Sequence, residues 1–215
     1  MMISNKNKCI FIHIPKTGGT SLESLIWKKN EKVESNLWMG FIDEYHNKYQ
    51  TGGLQHLLSS QVKKEVGEEI FNSYFKFTII RNPYDKAVSQ FEYLKKRKDL
   101  RDYLGFKVGD SFNKYLELIQ KKKHVQWEPQ SNFIFDDENN CSVDFMGRFE
   151  SFNDDTKKIL KQLGLEKKFF GLIDNNIPHL NKSSRREYKS YFDPQSKKAF
   201  ESIYKRDLDL LNYNF

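Results

Sequence analysis

The chain has 215 residues, 38 % hydrophobic and 30 % charged, which suits one domain with a real core and excludes disorder along its whole length. Thirty-six Lys and Arg stand against 29 Asp and Glu, a net charge of +7, so the expected partners are anions: nucleic acid, acidic lipid, nucleotide phosphate or a polyanionic substrate. Aromatic residues make up 15 % of the chain, with 18 Phe and 11 Tyr, and supply burial that the sparse aliphatics do not.

Met1 to Lys8 is polar, and the apolar run after it is broken by His13 and Pro15. Neither a signal peptide nor a transmembrane helix is predicted. Cys9 and Cys141 lie far apart without metal-ligand spacing, which predicts buried, unreactive thiols and a cytoplasmic protein.

Cys9 to Ile14 reads as a buried strand of a parallel sheet. A helix follows, with Leu22, Leu25 and Ile26 on one face and Thr20 or Ser21 as cap. The irregular stretch from Asn30 to Gly53 is too long for a simple connection and is a candidate for substrate contact. A helix is predicted from Ser59 or Ser60 to Asn72, then a second strand from Tyr74 to Ile80.

Arg81-Asn82-Pro83 ends that strand, with Asn82 as N-cap and Pro83 at the first position of a helix through Ala87, Val88, Phe91 and Leu94. Further helices are predicted over Ser111–Lys121, Asp154–Leu163 and from Pro194 onwards, the last capped by Asp193. Phe133–Phe135 and Val143–Met146 read as short strands around the acidic turn Asp136–Asn140. Alternating strands and helices, without repeats or a composition shift, predict a single α/β domain over residues 1–215: a mainly parallel, P-loop-like sheet flanked by helices.

Two constellations carry chemistry. Pro15-Lys16-Thr17-Gly18-Gly19-Thr20-Ser21 joins the first strand to its helix, where glycines let backbone approach a phosphate and the helix N-terminus offers free N–H groups. In a nucleoside-triphosphate loop the lysine follows the second glycine, whereas Lys16 precedes both. The second is Arg81-Asn82-Pro83 with Ser89 two turns into the helix: a guanidinium fork at the sheet edge where α/β folds bind ligands.

Together these motifs resemble the carbohydrate sulfotransferases that use 3′-phosphoadenosine 5′-phosphosulfate (PAPS), in the branch of the 2-O-sulfotransferases and their bacterial relatives. The resemblance continues through Trp127-Glu128-Pro129-Gln130-Ser131, Val143–Glu150, His179–Arg186 and Ile203–Asp207. It implies a sulfotransferase fold and sulfuryl transfer from PAPS to an acceptor hydroxyl, on a glycan, with adenosine 3′,5′-bisphosphate as product and no metal. By the same resemblance Lys16 stabilises charge on the breaking bond, and backbone from Thr17 through Gly18, Gly19 and Thr20 to Ser21 holds the 5′-phosphate. Arg81 and Ser89 hold the 3′-phosphate, while Ser183 with Arg185 or Arg186 closes over the nucleotide. His56 falls where the related enzymes carry their catalytic base, although they have a paired His-x-His and this chain has His56-Leu57-Leu58. His13, inside the first strand, reads as a packed neutral imidazole; His46, His124 and His179 have no assigned role.

The runs Lys95–Lys98, Lys121–Lys123 and Lys167-Lys168 are expected as solvated helix ends, the first two with the alternative of an acidic-glycan groove. Trp127 either stacks on a sugar or packs in the core. The competing functions are a nucleotide or small-molecule kinase, disfavoured by the position of Lys16, and a non-catalytic polysaccharide-binding module. No nucleic-acid reading element is recognisable.

Overall fold

The computed structural model describes residues 2–38, 53–166 and 185–215. Its sheet has four strands in the order β1 (Met2–Ser4), β2 (Cys9–Phe11), β3 (Phe75–Ile80) and β4 (Phe145–Arg148). Strands β2, β3 and β4 are parallel and β1 pairs antiparallel with β2. The expected mainly parallel α/β sheet is thus present.

Alternation along β2 sorts the helices into layers. Cys9 and Phe11, with Phe77 and Ile79 of β3, meet α1 (Gly19–Ile26) and α8 (Phe152–Gln162) through Leu22, Ile26, Phe152 and Ile159. Ile10, Ile12 and Ile14 face the other way, onto α2 (Ser59–Val66), α3 (Glu68–Ser73), α7 (Ser131–Ile134) and α10 (Lys205–Leu211). A third, ring-rich cluster joins α4 (Pro83–Leu94), α5 (Lys98–Leu104), α6 (Phe112–Lys121) and α9 (Pro194–Ile203) through Tyr84, Phe91, Phe112, Tyr115 and Phe200. The aromatic content is spent there.

Local chemistry explains where these elements begin. Asn82 accepts the Tyr84 N–H at 3.0 Å ahead of Pro83, Ser111 accepts from Lys114 at 3.2 Å, and Asp193 accepts from Ser196 at 2.7 Å ahead of Pro194.

Several expectations need correction. The helix expected over Ser59–Asn72 is two, broken at Gly67, whose φ of 82° no helix contains. Leu58 and Gly18, not serine or threonine, precede α2 and α1. Phe133–Phe135 is not a strand: α7 ends at Ile134, and Phe135 makes only an isolated bridge to Cys141. The strand expected at Val143–Met146 is shifted to Phe145–Arg148, and the last helix divides at Tyr204. Strand β1 and helix α5 were not anticipated. Cys9 is buried, and burial pushes its thiol up to about 12, but Cys141 is exposed.

The β2–β3 ladder ends early. Ile12 N–H donates to the Phe77 carbonyl at 2.9 Å, and the Ile12 carbonyl then accepts the Thr78 hydroxyl at 2.7 Å, while β3 continues alongside β4 to Ile80. A fully buried side chain therefore closes the pairing beside the turn at Pro15. Thr78→Val should lower stability by about 1–2 kcal/mol through that lost bond; an unchanged urea midpoint would show the hydroxyl to be dispensable.

Candidate active site

The turn from β2 to α1 is built on two left-handed residues, Lys16 at φ 68° and Gly18 at φ 87°. For Lys16 this conformation costs about 1 kcal/mol, and it sets the side chain at the turn's outer corner. Gly19 is needed for space instead: a Cβ there would lie 2.2 Å from the His13 ring. No side chain caps α1 and its first turn holds no acid, while the Ser21 N–H donates to the Gly18 carbonyl at 3.0 Å. Thr17 is fully buried and its hydroxyl donates to the Ile14 carbonyl at 2.9 Å, so that side chain braces the turn. Thr20 is exposed and Ser21 buried.

Arg81 reaches this turn from the end of β3. One of its terminal nitrogens donates to the Lys16 carbonyl at 2.9 Å, and Nε donates to Asp85 at 2.7 Å. Its guanidinium stacks over Phe149, 4.0 Å from the ring centroid. Arg185 pairs with the other Asp85 oxygen, so one carboxylate pins two guanidiniums. Asp85, Ser89 and Tyr93 follow one another at one-turn intervals on α4. The Lys16 ammonium lies 4.0 Å from the Tyr93 ring centroid, at the far end of that stripe. Burial, then the charges of Arg81, Lys96, Arg185 and Lys86, push Lys16 down to about 8. The corner carries more positive charge than Asp85 balances, and an anion would relieve it.

His56 lies in a 3-10 turn (Gly53–His56) and is buried. Its Nδ1 is 2.9 Å from the His13 carbonyl, which can only accept, so Nδ1 carries the hydrogen and Nε2 holds the lone pair. Burial, reinforced by His13, holds its pKa well below 6.5, so the ring is neutral at physiological pH. The two imidazoles meet edge to face with centroids 4.7 Å apart. A second histidine thus stands beside His56, contributed by the end of β2. His13 is packed as expected, stacked on Phe11 at 5.2 Å, but its Nδ1 also lies 2.8 Å from Glu23 Oε1.

Sequence reasoning missed Glu23. It is fully buried on α1 and accepts from Trp38 Nε1 and Gln55 Nε2, each at 3.1 Å. Burial alone would raise its carboxyl, but the charge and hydrogen bond of His13 outweigh that and hold it at about 2. Asp85 was missed for the same reason: an acid inside a helix reads as solvated until the topology brings cations to it.

Other candidates fall elsewhere. Ser183, His46 and His179 lie outside the described residues, as do Lys167 and Lys168. Arg186 is exposed and sits 5.1 Å from the Tyr191 ring centroid, apart from the Asp85 pair. Trp127 is buried, donating from Nε1 to the Lys122 carbonyl at 2.7 Å, so packing accounts for it. Lys95, Lys98 and Lys121 pair with Glu92, Asp102 and Glu117. Among the described residues no helix is long and apolar enough to cross a membrane, and no three His, Cys, Asp or Glu gather as a metal site.

A family model described as "Sulfotransferase family" matches residues 1–214. Carbohydrate sulfotransferase 10 of Xenopus laevis is 26 % identical over 99 % of this chain, and that of Homo sapiens 24 % identical over 99 %. The chain spans about two thirds of their length, 67 % and 66 %. An uncharacterised protein of Archaeoglobus fulgidus is 29 % identical over 48 % of the chain and 79 % of its own. In fold the chain is similar to mouse sulfotransferase SULT7A1, solved in complex with PAP, with a TM-score of 0.58, 16 % identity, and coverage of 93 % of this chain and 83 % of that one. With a match over nearly its whole length and a glycine turn facing a strand-end arginine, the chain belongs to the sulfotransferase family.

Proposed function

We propose that this chain transfers a sulfuryl group from PAPS to a hydroxyl of a saccharide. The observation that carries the reading is the gathering of Lys16, Arg81 and Arg185 at one corner, beside the N-terminus of α1, with a neutral imidazole at His56. The solved sulfotransferase of similar fold holds PAP, and the related vertebrate enzymes are carbohydrate sulfotransferases, which supports both the donor and the acceptor class. A cytoplasmic site of action is part of the reading and rests on the two unpaired cysteines.

The residues present fit an anionic donor at this corner. The backbone of Thr17 to Ser21 would take the 5′-phosphosulfate, and Arg81, Ser89 and Arg185 the 3′-phosphate, with Ser183 assigned by resemblance. When bound, such a donor supplies an activated sulfuryl group on a leaving phosphate. Lys16 then places a mobile cation where negative charge grows. His56 Nε2 takes the proton of the acceptor hydroxyl, its Nδ1–H held by the His13 carbonyl so that the ring cannot turn. Glu23, ionised and within reach of His13, favours the positive charge that this proton creates.

His56→Gln should lower turnover by about 100- to 10,000-fold and leave calorimetric binding of adenosine 3′,5′-bisphosphate unchanged; full turnover would remove His56 as the base. With His56 held well below 6.5, the acid limb of the rate profile should lie below the ordinary histidine range. Lys16 loses its proton near pH 8 in the free site, and a bound anion favours the protonated form. Affinity for the bisphosphate should therefore be greatest below that pH and fall above it, and Lys16→Met should bind more weakly at pH 7 without that fall. The same pH dependence in Lys16→Met would assign it to another group.

A further inference from the structure

Two segments that carry the family resemblance, Trp127–Ser131 and Ile203–Asp207, have no part in the reaction above. In the structure they meet behind Arg81. The side-chain amide of Gln130 brackets the backbone of this one residue: Arg81 N–H donates to Gln130 Oε1 at 2.9 Å, and Gln130 Nε2 donates to the Arg81 carbonyl at 2.7 Å. A carboxamide offers a donor and an acceptor side by side in one plane, as this bracket requires. Arg81 needs it because the pairing of β3 with β4 ends one residue earlier, at Ile80 and Arg148.

Gln130 is itself held from α10. Its N–H donates to Asp207 Oδ2 at 2.8 Å, and the Ser131 N–H donates to Asp207 Oδ1 at 2.7 Å. Both Gln130 and Asp207 are fully buried, so neither can touch a ligand at the surface of the site. Lys86, also buried, bonds the Glu128 carbonyl at 3.2 Å and supplies positive charge near the carboxylate. A second arm reaches the next residue: Asn82 N–H donates to Glu150 Oε1 at 2.6 Å, and the Tyr213 hydroxyl donates to Glu150 Oε2 at 2.8 Å. The residues that follow Tyr204 thus hold the Arg81-Asn82 corner from both sides.

We propose that Gln130 and Asp207 are positioning residues for the donor site, fixing the Arg81 backbone so that its guanidinium meets a phosphate in one orientation. The inference rests on Arg81 being the phosphate-binding arginine. Recognition by a planar fork tolerates only about 0.5 Å or 10–20° of misplacement, and a long side chain magnifies any rotation at its Cα. The C-terminal helix is in this sense part of the anion site without contacting the anion.

The test is calorimetric titration of adenosine 3′,5′-bisphosphate into the wild-type chain and into Gln130→Met, Gln130→Glu, Asp207→Asn, Arg81→Ala and the double variant Arg81→Ala/Gln130→Met, with thermal denaturation of each. Gln130→Met and Asp207→Asn should bind about 10-fold more weakly, and their KM for donor should rise while KM for acceptor stays level. Gln130→Glu in its ionised form keeps the bond to Arg81 N–H and sets a second acceptor against the carbonyl, so above the pH at which it ionises it should weaken binding in the same direction, in a side chain of the same size. The double variant should bind no more weakly than Arg81→Ala alone, because Gln130 acts only through that arginine. Wild-type affinity in the Gln130 and Asp207 variants, or losses that add in the double variant, would overturn the positioning role and leave the functional reading intact. Absence of binding to the wild-type chain would overturn the functional reading and this inference with it.

Discussion

Cations repel, and a fold that gathers Lys16, Arg81 and Arg185 at one corner must oppose that repulsion. Asp85 does part of it by bridging the two guanidiniums, and the Lys16 carbonyl and Phe149 ring take up the rest of Arg81. What stays unbalanced falls on Lys16, whose ammonium is pushed down to about 8, first by burial and then by these neighbours. Positive charge at this corner outweighs the one carboxylate that bridges the guanidiniums. The surrounding structure maintains that excess: α4 supplies Asp85 and Tyr93, β3 delivers Arg81, and the turn after β2 delivers Lys16, which is what makes an anion the proposed occupant.

The histidine proposed as base follows the opposite rule. His56 is shielded from water, neutral, and oriented by a single carbonyl. A base that must take a proton only when substrate arrives benefits from burial, which keeps it unprotonated beforehand. The negative charge of Glu23 lies one imidazole away, at His13, close enough to favour the protonated product without itself accepting the proton.

Much of this was legible in sequence because the signals are local. The apolar runs at Ile10 and Phe77, the Asn82-Pro83 and Asp193-Pro194 caps, and the inverted order of Lys16 and the glycines each need only a few neighbouring residues. The errors have tertiary causes. Phe133-Ile134-Phe135 has the rings and branching of a strand, but Asp207 takes the N–H groups of Gln130 and Ser131 and holds the chain in a helical turn. Met2–Ser4 is too short to read as a strand alone and leads into the polar stretch Asn5–Lys8; it pairs with β2, and Trp27 Nε1 donates to the Ile3 carbonyl at 3.2 Å. Glu23, Asp85 and Gln130 look like ordinary polar positions until strand order places them against His13, Arg81 and the end of β3.

His13 is where these lines cross. Its ring supports the turn at Gly19, its Nδ1 lies beside Glu23, and its carbonyl orients His56. A change at His13 would thus reach the glycine turn and the His56 ring together. Under the proposed reading, differences in acceptor preference would then fall to segments that reach His56 from elsewhere, with the end of β2 held constant.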